Sequence, residues 1–157
     1  MKFPEHIIKD LNKRPLTFPS GMEGQLNLVM VGYEQWQQAQ FDSWFPFAAQ
    51  LAARYPGFQY YEMPVISRLN RLARFVVDEG MRGGIPDRSV RARVFTLYTD
   101  IAAFNRQLEI ETTRKITLML VRTDGSLVWR ESGAWTAGKG ESLEQAVQAQ
   151  LGLNQPE

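Results

Sequence analysis

Apolar residues are almost continuous between Leu26 and Tyr33, and such a run predicts a strand that helices cover on both faces. Behind it, apolar residues recur at the spacing of one helical face, which predicts a helix capped by Asp42-Ser43 with Pro46 in or near its first turn. The residues of that face are Trp44, Phe47, Ala48, Leu51 and Tyr55. Pro56-Gly57 ends the helix, and Phe58 to Ile66 has the aromatic and β-branched content of a second strand. Together these elements predict a right-handed crossover unit.

The N-terminal segment carries a helical signal that is soon interrupted. Three apolar residues at helical spacing predict a brief helix; they are Ile7, Ile8 and Leu11. Pro15 and Pro19 end it, and a short edge strand is predicted from Leu16 to Phe18. The two glycines between Ser20 and Gly24 predict a turn into the central strand.

The middle third predicts a second helix, from Leu69 to about Glu79, with an apolar stripe and an arginine row on different faces. The stripe is Leu69, Leu72, Phe75 and Val76, and the row is Arg68, Arg71 and Arg74. Three glycines and a proline between Gly80 and Asp87 predict the end of this helix. Val94 to Tyr98 is then predicted to form another strand.

The last third predicts a helix, a hairpin and a terminal helix. Asp100 is placed to cap a helix from Ile101 to Leu108. Asp124-Gly125 between two apolar runs is a strong hairpin signal. The runs are Ile116 to Arg122 and Ser126 to Glu131. Ser142-x-x-Gln145 has the spacing of a capping box, which predicts a helix from Leu143 to Leu151.

This order of strands and helices is similar to that of a thioredoxin-like domain in its peroxiredoxin-type elaboration, an α/β fold with a central mixed sheet and helices on both faces. The stretch Trp36-Gln37-Gln38-Ala39-Gln40 looks like the Trp-Cys-x-x-Cys turn of such proteins. In them the turn opens a helix whose N-terminus lowers the pKa of the first thiol. Gln37 and Gln40 stand at the two sulfur positions, and glutamine forms no thiolate. The resemblance therefore implies a vestigial redox turn, flanked by Trp36 and Trp44.

A second feature of the redox enzymes is missing from the sequence. Thioredoxins place a cis-proline just before the first strand of the last hairpin, and this chain has Lys115-Ile116 there. Because a cis bond before a residue other than proline costs about 3 kcal/mol, an ordinary trans peptide is expected.

Composition excludes several kinds of chemistry. The 157 residues, 44% of them hydrophobic, match the size of one domain, predicted over residues 1–157 with 1–15 as an N-terminal extension. A net charge of +1, from 18 basic and 17 acidic side chains, predicts no global attraction to nucleic acid. The chain has no cysteine, and therefore no disulfide and no thiol chemistry. His6 is the single imidazole, so no metal site and no cofactor are expected.

Neither a membrane span nor a targeting segment is expected. The longest apolar run is about eight residues, far below the roughly 20 that cross a bilayer. Met1 to His6 is followed by no sustained apolar stretch and no arginine-rich presequence, so we expect a cytoplasmic protein or a processed mature form. Three carboxylates, Glu62, Asp78 and Glu79, are candidate acids or bases. Surface ion pairs with neighbouring arginines are the preferred interpretation of all three.

Further motifs resemble the mitochondrial ATP synthase assembly factor family, a thioredoxin-like lineage without the redox cysteines. They are Ala39-Gln40, Ser43-Trp44-x-Pro46-Phe47, Tyr61-Glu62-x-Pro64-Val65-Ile66, Arg82-x-Gly84-Ile85-Pro86-Asp87-Arg88 and Trp129-Arg130-x-x-Gly133. The resemblance implies a non-redox protein, not an enzyme, that chaperones the membrane-embedded subunit a of ATP synthase. It also implies a peripheral position on the inner face of the membrane, the matrix side in a eukaryotic form. The alternative is an enzyme of this fold that uses non-thiol chemistry.

Two groups of residues are candidates for binding. The first is an arginine cluster, Arg82, Arg88, Arg91 and Arg93. Closely spaced arginines suit the carboxylates of a protein partner or the phosphates of an anionic membrane surface. A solvated loop, with these arginines paired to Asp78, Glu79 and Asp87, is the equal alternative. The second group is the pair Trp36 and Trp44, for which partly buried packing is preferred to a binding role.

Overall fold

The structure is a computed structural model that describes residues 1–68, 71–85 and 87–152. Its central sheet has five strands in the order β5-β4-β3-β6-β7, and a separate two-stranded sheet pairs β1 with β2. The strands are β1 (His6–Lys9), β2 (Pro15–Phe18), β3 (Leu26–Gly32), β4 (Phe58–Ser67), β5 (Leu97–Thr99), β6 (Thr117–Arg122) and β7 (Leu127–Ser132). The helices are α1 (Gln38–Arg54), α2 (Arg71–Gly84), α3 (Arg88–Arg91), α4 (Ile101–Gln107) and α5 (Ala137–Leu151).

Strand β3 is the centre of the sheet, as its apolar run predicts. All seven of its residues are buried. It pairs in parallel with β4 on one side and antiparallel with β6 on the other. The mixed sheet predicted from the sequence is therefore confirmed.

The two faces of the sheet bury separate hydrophobic clusters. On one face, Leu28 and Met30 of β3 pack with residues of α1 and α5, such as Trp44 and Leu143. On the other, Val29 and Val31 pack against the N-terminal hairpin and α4. The alternation of side chains along β3 sends neighbouring residues into opposite clusters.

The brief N-terminal helix predicted from Ile7, Ile8 and Leu11 is wrong. Residues His6–Lys9 instead form β1, antiparallel to β2. Ile8 is buried and Ile7 is 81% exposed, the period-two burial of a strand. A segment this short gains little from helical hydrogen bonds, so pairing with β2 and burial of Phe3 and Ile8 in the core decide its conformation.

Two helices begin earlier than their predicted caps. Helix α1 starts at Gln38, so Asp42 and Ser43 lie inside it, and Ser43 donates a 2.6 Å hydrogen bond to the carbonyl of Gln40. Helix α5 starts at Ala137 with Thr136 as its cap, whose hydroxyl accepts from the amide of Lys139. In both helices the residue predicted as the cap lies in the interior, because the helix begins at least one turn before that residue.

Helix α2 continues to Gly84, past the predicted break at Gly80. Glycine weakens a helix by about 1 kcal/mol without forbidding it. Leu69 and the side chains at positions 71 to 75 lie outside the described residues. Of the predicted stripe and arginine row, the structure describes Val76, which is 63% exposed, and Arg68, which is also exposed. Strand β5 begins three residues later than predicted, although Val94 forms an isolated bridge with Glu62.

In the last third, α4 and the hairpin agree closely with their predictions. Asp100 caps α4 by accepting from the amide of Ala103 at 3.1 Å, and β6 and β7 form the predicted hairpin. The Lys115–Ile116 peptide is trans, as expected. In the described part of the chain, no helix is long and apolar enough to span a membrane.

Candidate functional site

The vestigial redox turn lies between β3 and α1. Gln35–Gln37 form one 3₁₀ turn that leads into the helix at Gln38. This is the strand, turn and helix arrangement that the sequence predicts for a thioredoxin-like active site. The structure brings Gln37 and Gln40 to the two ends of the first helical turn.

The side chain of Gln37 is fully buried, and both ends of its amide have partners. Its Oε1 accepts from the backbone amides of Tyr33 at 2.7 Å and Glu34 at 3.1 Å. Its Nε2 donates to the carbonyl of Thr113 at 2.7 Å. Gln37 therefore joins the end of β3 to the segment that precedes β6.

Gln40 contacts the same segment. Its Oε1 accepts from the backbone amide of Ile116 at 2.9 Å, and the carbonyl of Ile116 accepts from Gly133 at 2.9 Å. The resemblance places the cis-proline of redox relatives at this point of the chain. Two glutamine amides thus bond to backbone on the side of the turn where thioredoxins carry thiols and a substrate-binding peptide.

The two tryptophans of the turn have different environments. Trp44 is fully buried, donates from Nε1 to the carbonyl of Gly133 at 2.9 Å, and packs edge-to-face on Trp129. Packing is thus confirmed for Trp44. Trp36 is 59% exposed, so the prediction that its indole is partly buried packing is wrong. The turn places Trp36 on its outer surface because Gln37 occupies the interior.

A buried carboxylate, which sequence reasoning placed on the surface, lies beside this turn. Glu62, in the middle of β4, is only 2% exposed, and Gln38 Nε2 donates to its Oε1 at 3.0 Å. Burial raises the pKa of Glu62 to about 7, against the opposing effect of the Gln38 hydrogen bond and with a further contribution from Asp42. The sequence did contain a signal for this burial, because Glu62 lies in the middle of the predicted strand Phe58 to Ile66.

The other two carboxylates behave differently. Glu79 pairs with Lys13 at 3.0 Å and with Arg82 at 4.0 Å, which is the predicted use. Asp78 accepts from the hydroxyl of Tyr98 at 2.6 Å. Only Glu62 of the three is withdrawn from water.

The structure divides the arginine cluster into inward and outward members. Arg91 donates to the carbonyls of Ile85 and of Arg82, the latter at 2.9 Å. Arg93 donates to Gln59 Oε1 at 3.0 Å and lies 4.1 Å above the ring of Tyr60. Arg88 is exposed, and within the described residues its guanidinium has no hydrogen-bond or ion-pair partner. Arg82 is half-buried and pairs with Glu79 at 4.0 Å, so Arg88 is the member that remains most available to an anion.

Metal chemistry gains no support from the geometry. Across residues 1–68, 71–85 and 87–152, no group of three or more histidine, cysteine, aspartate or glutamate side chains could hold an ion. His6 is half-buried beside Phe104, and burial lowers its pKa.

No protein-family model matches the chain, and no curated protein sequence matches it. Solved structures do match over nearly the whole length. BsSco, a member of the Sco family of cytochrome c oxidase assembly proteins, has a TM-score of 0.61 at 9% identity, covering 94% of this chain and 92% of its own. A thiol:disulfide interchange protein from Bacteroides sp. has a TM-score of 0.58 at 15% identity, covering 94% of this chain and 86% of its own.

A putative thiol:disulfide interchange protein DsbE from Chlorobium tepidum has a TM-score of 0.56 at 18% identity, with 94% of each chain covered. Identities this low show a shared fold and nothing finer. The chain therefore has the thioredoxin-like fold predicted from its sequence, and it contains no cysteine.

Proposed function

We propose that this chain is a non-redox thioredoxin-like binding protein that acts as an assembly factor or chaperone of a membrane complex. By the resemblance of its motifs, the complex is ATP synthase and the client is its membrane-embedded subunit a. The proposal has two parts, the loss of redox chemistry and the gain of a binding surface.

One observation carries the first part: the amides at both presumed thiol positions hydrogen-bond to the backbone. Gln37 accepts from the backbone amides of Tyr33 and Glu34 and donates to the carbonyl of Thr113. Gln40 accepts from the backbone amide of Ile116. Hydrogen-bonded amides at these positions, one fully buried and one half-buried, stabilise the turn and leave no nucleophile on it. The turn has the strand, 3₁₀ turn and helix architecture, and the chain carries no cysteine to do thiol chemistry on it.

The exposed indole of Trp36 supports the second part. Tryptophan is enriched among the residues that dominate binding energy at protein interfaces. Here it stands on a turn held rigid by Gln37, so little conformational entropy would be lost when a partner covers it. BsSco, which shares the fold at 9% identity, is named as a member of a family of cytochrome c oxidase assembly proteins, and the assembly role proposed for this chain is of the same kind.

Affinity capture from solubilised native membranes tests the proposal. Tagged wild-type protein should recover ATP synthase membrane subunits, as identified by mass spectrometry. Trp36→Ala should recover about tenfold less, the effect of losing roughly 1.4 kcal/mol of binding. Val76→Ala is the matched control, because Val76 is also an exposed apolar residue, at 63%, on a different element.

The same preparations are assayed for peroxide reduction and disulfide exchange. Turnover in either assay would overturn the non-redox assignment. Failure to recover ATP synthase subunits, or equal recovery by Trp36→Ala, would overturn the assembly role at this surface.

A further inference from the structure

A cleft separates the N-terminal hairpin from the edge of the main sheet. Its volume is about 570 Å³. One wall is formed by β1 and the residues that follow it, and the other by Thr96, Leu97 and Tyr98. Asp78, Glu79 and Arg82 of α2 complete the lining. The cleft is remote in sequence from the redox turn and shares no residue with it.

The two walls are aligned as neighbouring antiparallel strands. Asp10 and Phe95 form an isolated antiparallel bridge, which places Lys9 opposite Thr96 and Ile8 opposite Leu97 if the register continues. Beyond the bridge, β1 pairs only with β2, and β5 is an edge strand of the sheet in the described part of the chain. The cleft occupies the place where the ladder would continue.

Backbone direction shows which groups face this cleft. The amide of Asp10 donates to the carbonyl of Arg14 at 3.0 Å, so Asp10 directs its backbone toward the β2 side. Alternation along an antiparallel strand gives Ile8 the same direction and turns the amide and carbonyl of Ile7 the opposite way, toward the cleft. On the facing wall, Phe95 donates to the carbonyl of Glu62 at 2.9 Å, so Thr96 directs its backbone away from β4.

Ile7 also has an exposed apolar side chain. At 81% exposure it is the most exposed large hydrophobic residue of those described. Proteins normally protect an edge strand with charges or proline. Glu5 and Lys9, two residues to either side, are exposed charges of this kind, and Ile7 is an exposed apolar residue between them. An apolar side chain and an unpaired strand edge at one residue are the two features that a bound strand uses.

We propose that this cleft binds an extended segment of a partner polypeptide, which pairs with the outer edge of β1 at Ile7. An extended backbone is the occupant whose donors and acceptors repeat at the spacing of a strand edge. The acidic side chains of the cleft already have partners: Glu79 pairs with Lys13 and Arg82, Asp10 pairs with Arg14, and Asp78 accepts from the hydroxyl of Tyr98. Recognition therefore rests on backbone pairing and on apolar contact with Ile7.

A library of random decapeptides displayed on phage is the probe. Selection on immobilised wild-type protein should enrich peptides with apolar residues at alternate positions. Ile7→Pro should then weaken a selected peptide at least tenfold, because proline removes the outward amide while leaving the pairing with β2 intact. Ile7→Thr, which keeps the amide and the strand propensity, should bind more tightly than Ile7→Pro.

A measurement on the peptide makes the test independent of how well Ile7→Pro folds. N-methylation of alternate peptide amides should abolish binding to the wild-type protein in one of the two registers and leave the other unaffected. No enriched peptides, equal binding by Ile7→Pro with its fold verified by circular dichroism, or indifference to N-methylation in both registers would each overturn the proposal. Trp36→Ala should leave peptide binding unchanged, so this proposal and the assembly role fail separately.

Discussion

The Nε2 atom of Gln38, at the start of α1, donates a 3.0 Å hydrogen bond to Oε1 of Glu62 in the middle of β4. The same nitrogen donates to Asp42 Oδ1 at 3.0 Å. One amide thus lies between two carboxylates, one buried and one near the surface. The fold accommodates Glu62 most easily when that carboxyl carries a proton.

Protein stability should fall between pH 4.5 and about 7. The pKa of Glu62 is about 7 in the folded protein, against an ordinary value of 4.5, so the folded chain binds this proton more tightly than the unfolded chain. Stability contributed by the protonated carboxyl is complete below pH 4.5, declines as pH rises, and is lost above pH 7. The side chain of Glu62→Gln is neutral at every pH. The free energy of unfolding of this variant should exceed that of wild type by up to about 3 kcal/mol at pH 8 and by less at pH 5.

Urea unfolding at both pH values measures this difference. Glu5→Gln is the control, because Glu5 is exposed and its removal should leave the pH profile unchanged. An unchanged pH profile in Glu62→Gln would show that the carboxyl is not stabilised in its protonated form.

Gln37→Ala should destabilise the protein by about 3 kcal/mol, since it leaves two backbone amides and a carbonyl without their partner in a buried site. Gln40→Ala should cost about 1 kcal/mol, because it removes one hydrogen bond at a half-buried position. Chemical denaturation compares the two with Gln35→Ala, an exposed residue of the same turn. Equal effects at positions 35 and 37 would contradict the structural role of Gln37.

The double variant Gln37→Cys, Gln40→Cys should fold and form an intramolecular disulfide under mild oxidation. The two positions lie at the end of a 3₁₀ turn and in the first turn of α1, and the resemblance to the Trp-Cys-x-x-Cys turn places the two sulfurs at them. Thiol alkylation followed by mass spectrometry detects the bond, and each single variant is the control for intermolecular pairing. Absence of the intramolecular product would show that the turn does not correspond to the redox motif.

Binding to an anionic membrane remains a prediction, and the structure names the variant that tests it. Arg88→Glu should reduce cosedimentation with phosphatidylserine vesicles roughly fivefold at low salt, at about 1 kcal/mol for each basic side chain near the surface. Arg91→Glu is a poor test, because Arg91 supports the carbonyls of Arg82 and Ile85. Equal sedimentation with neutral phosphatidylcholine vesicles, or no loss in Arg88→Glu, would remove the membrane from the list of partners.

The sequence by itself determined the elements whose signals are local. The apolar run of β3, the helical face of α1 and the Asp124-Gly125 turn specify their own conformations through burial periodicity and turn chemistry. With the Trp36 to Gln40 turn, they were sufficient to predict the thioredoxin-like fold. The absence of cysteine, also read from the sequence, excluded thiol chemistry before any geometry was known.

Tertiary structure decided everything that depends on which surfaces meet. Pairing with β2 made a strand of Ile7 and Ile8, because a short helix cannot match the burial that the hairpin obtains. Packing of α1 against β4 withdrew Glu62 from water. Arg91 turns inward because its guanidinium donates to the carbonyl of Arg82, nine residues earlier in the chain. The periodicity of a sequence reports how hydrophobic each residue is and not which residues it contacts in the fold. The burial of Glu62 and the exposure of Trp36 therefore followed only from the assembled structure.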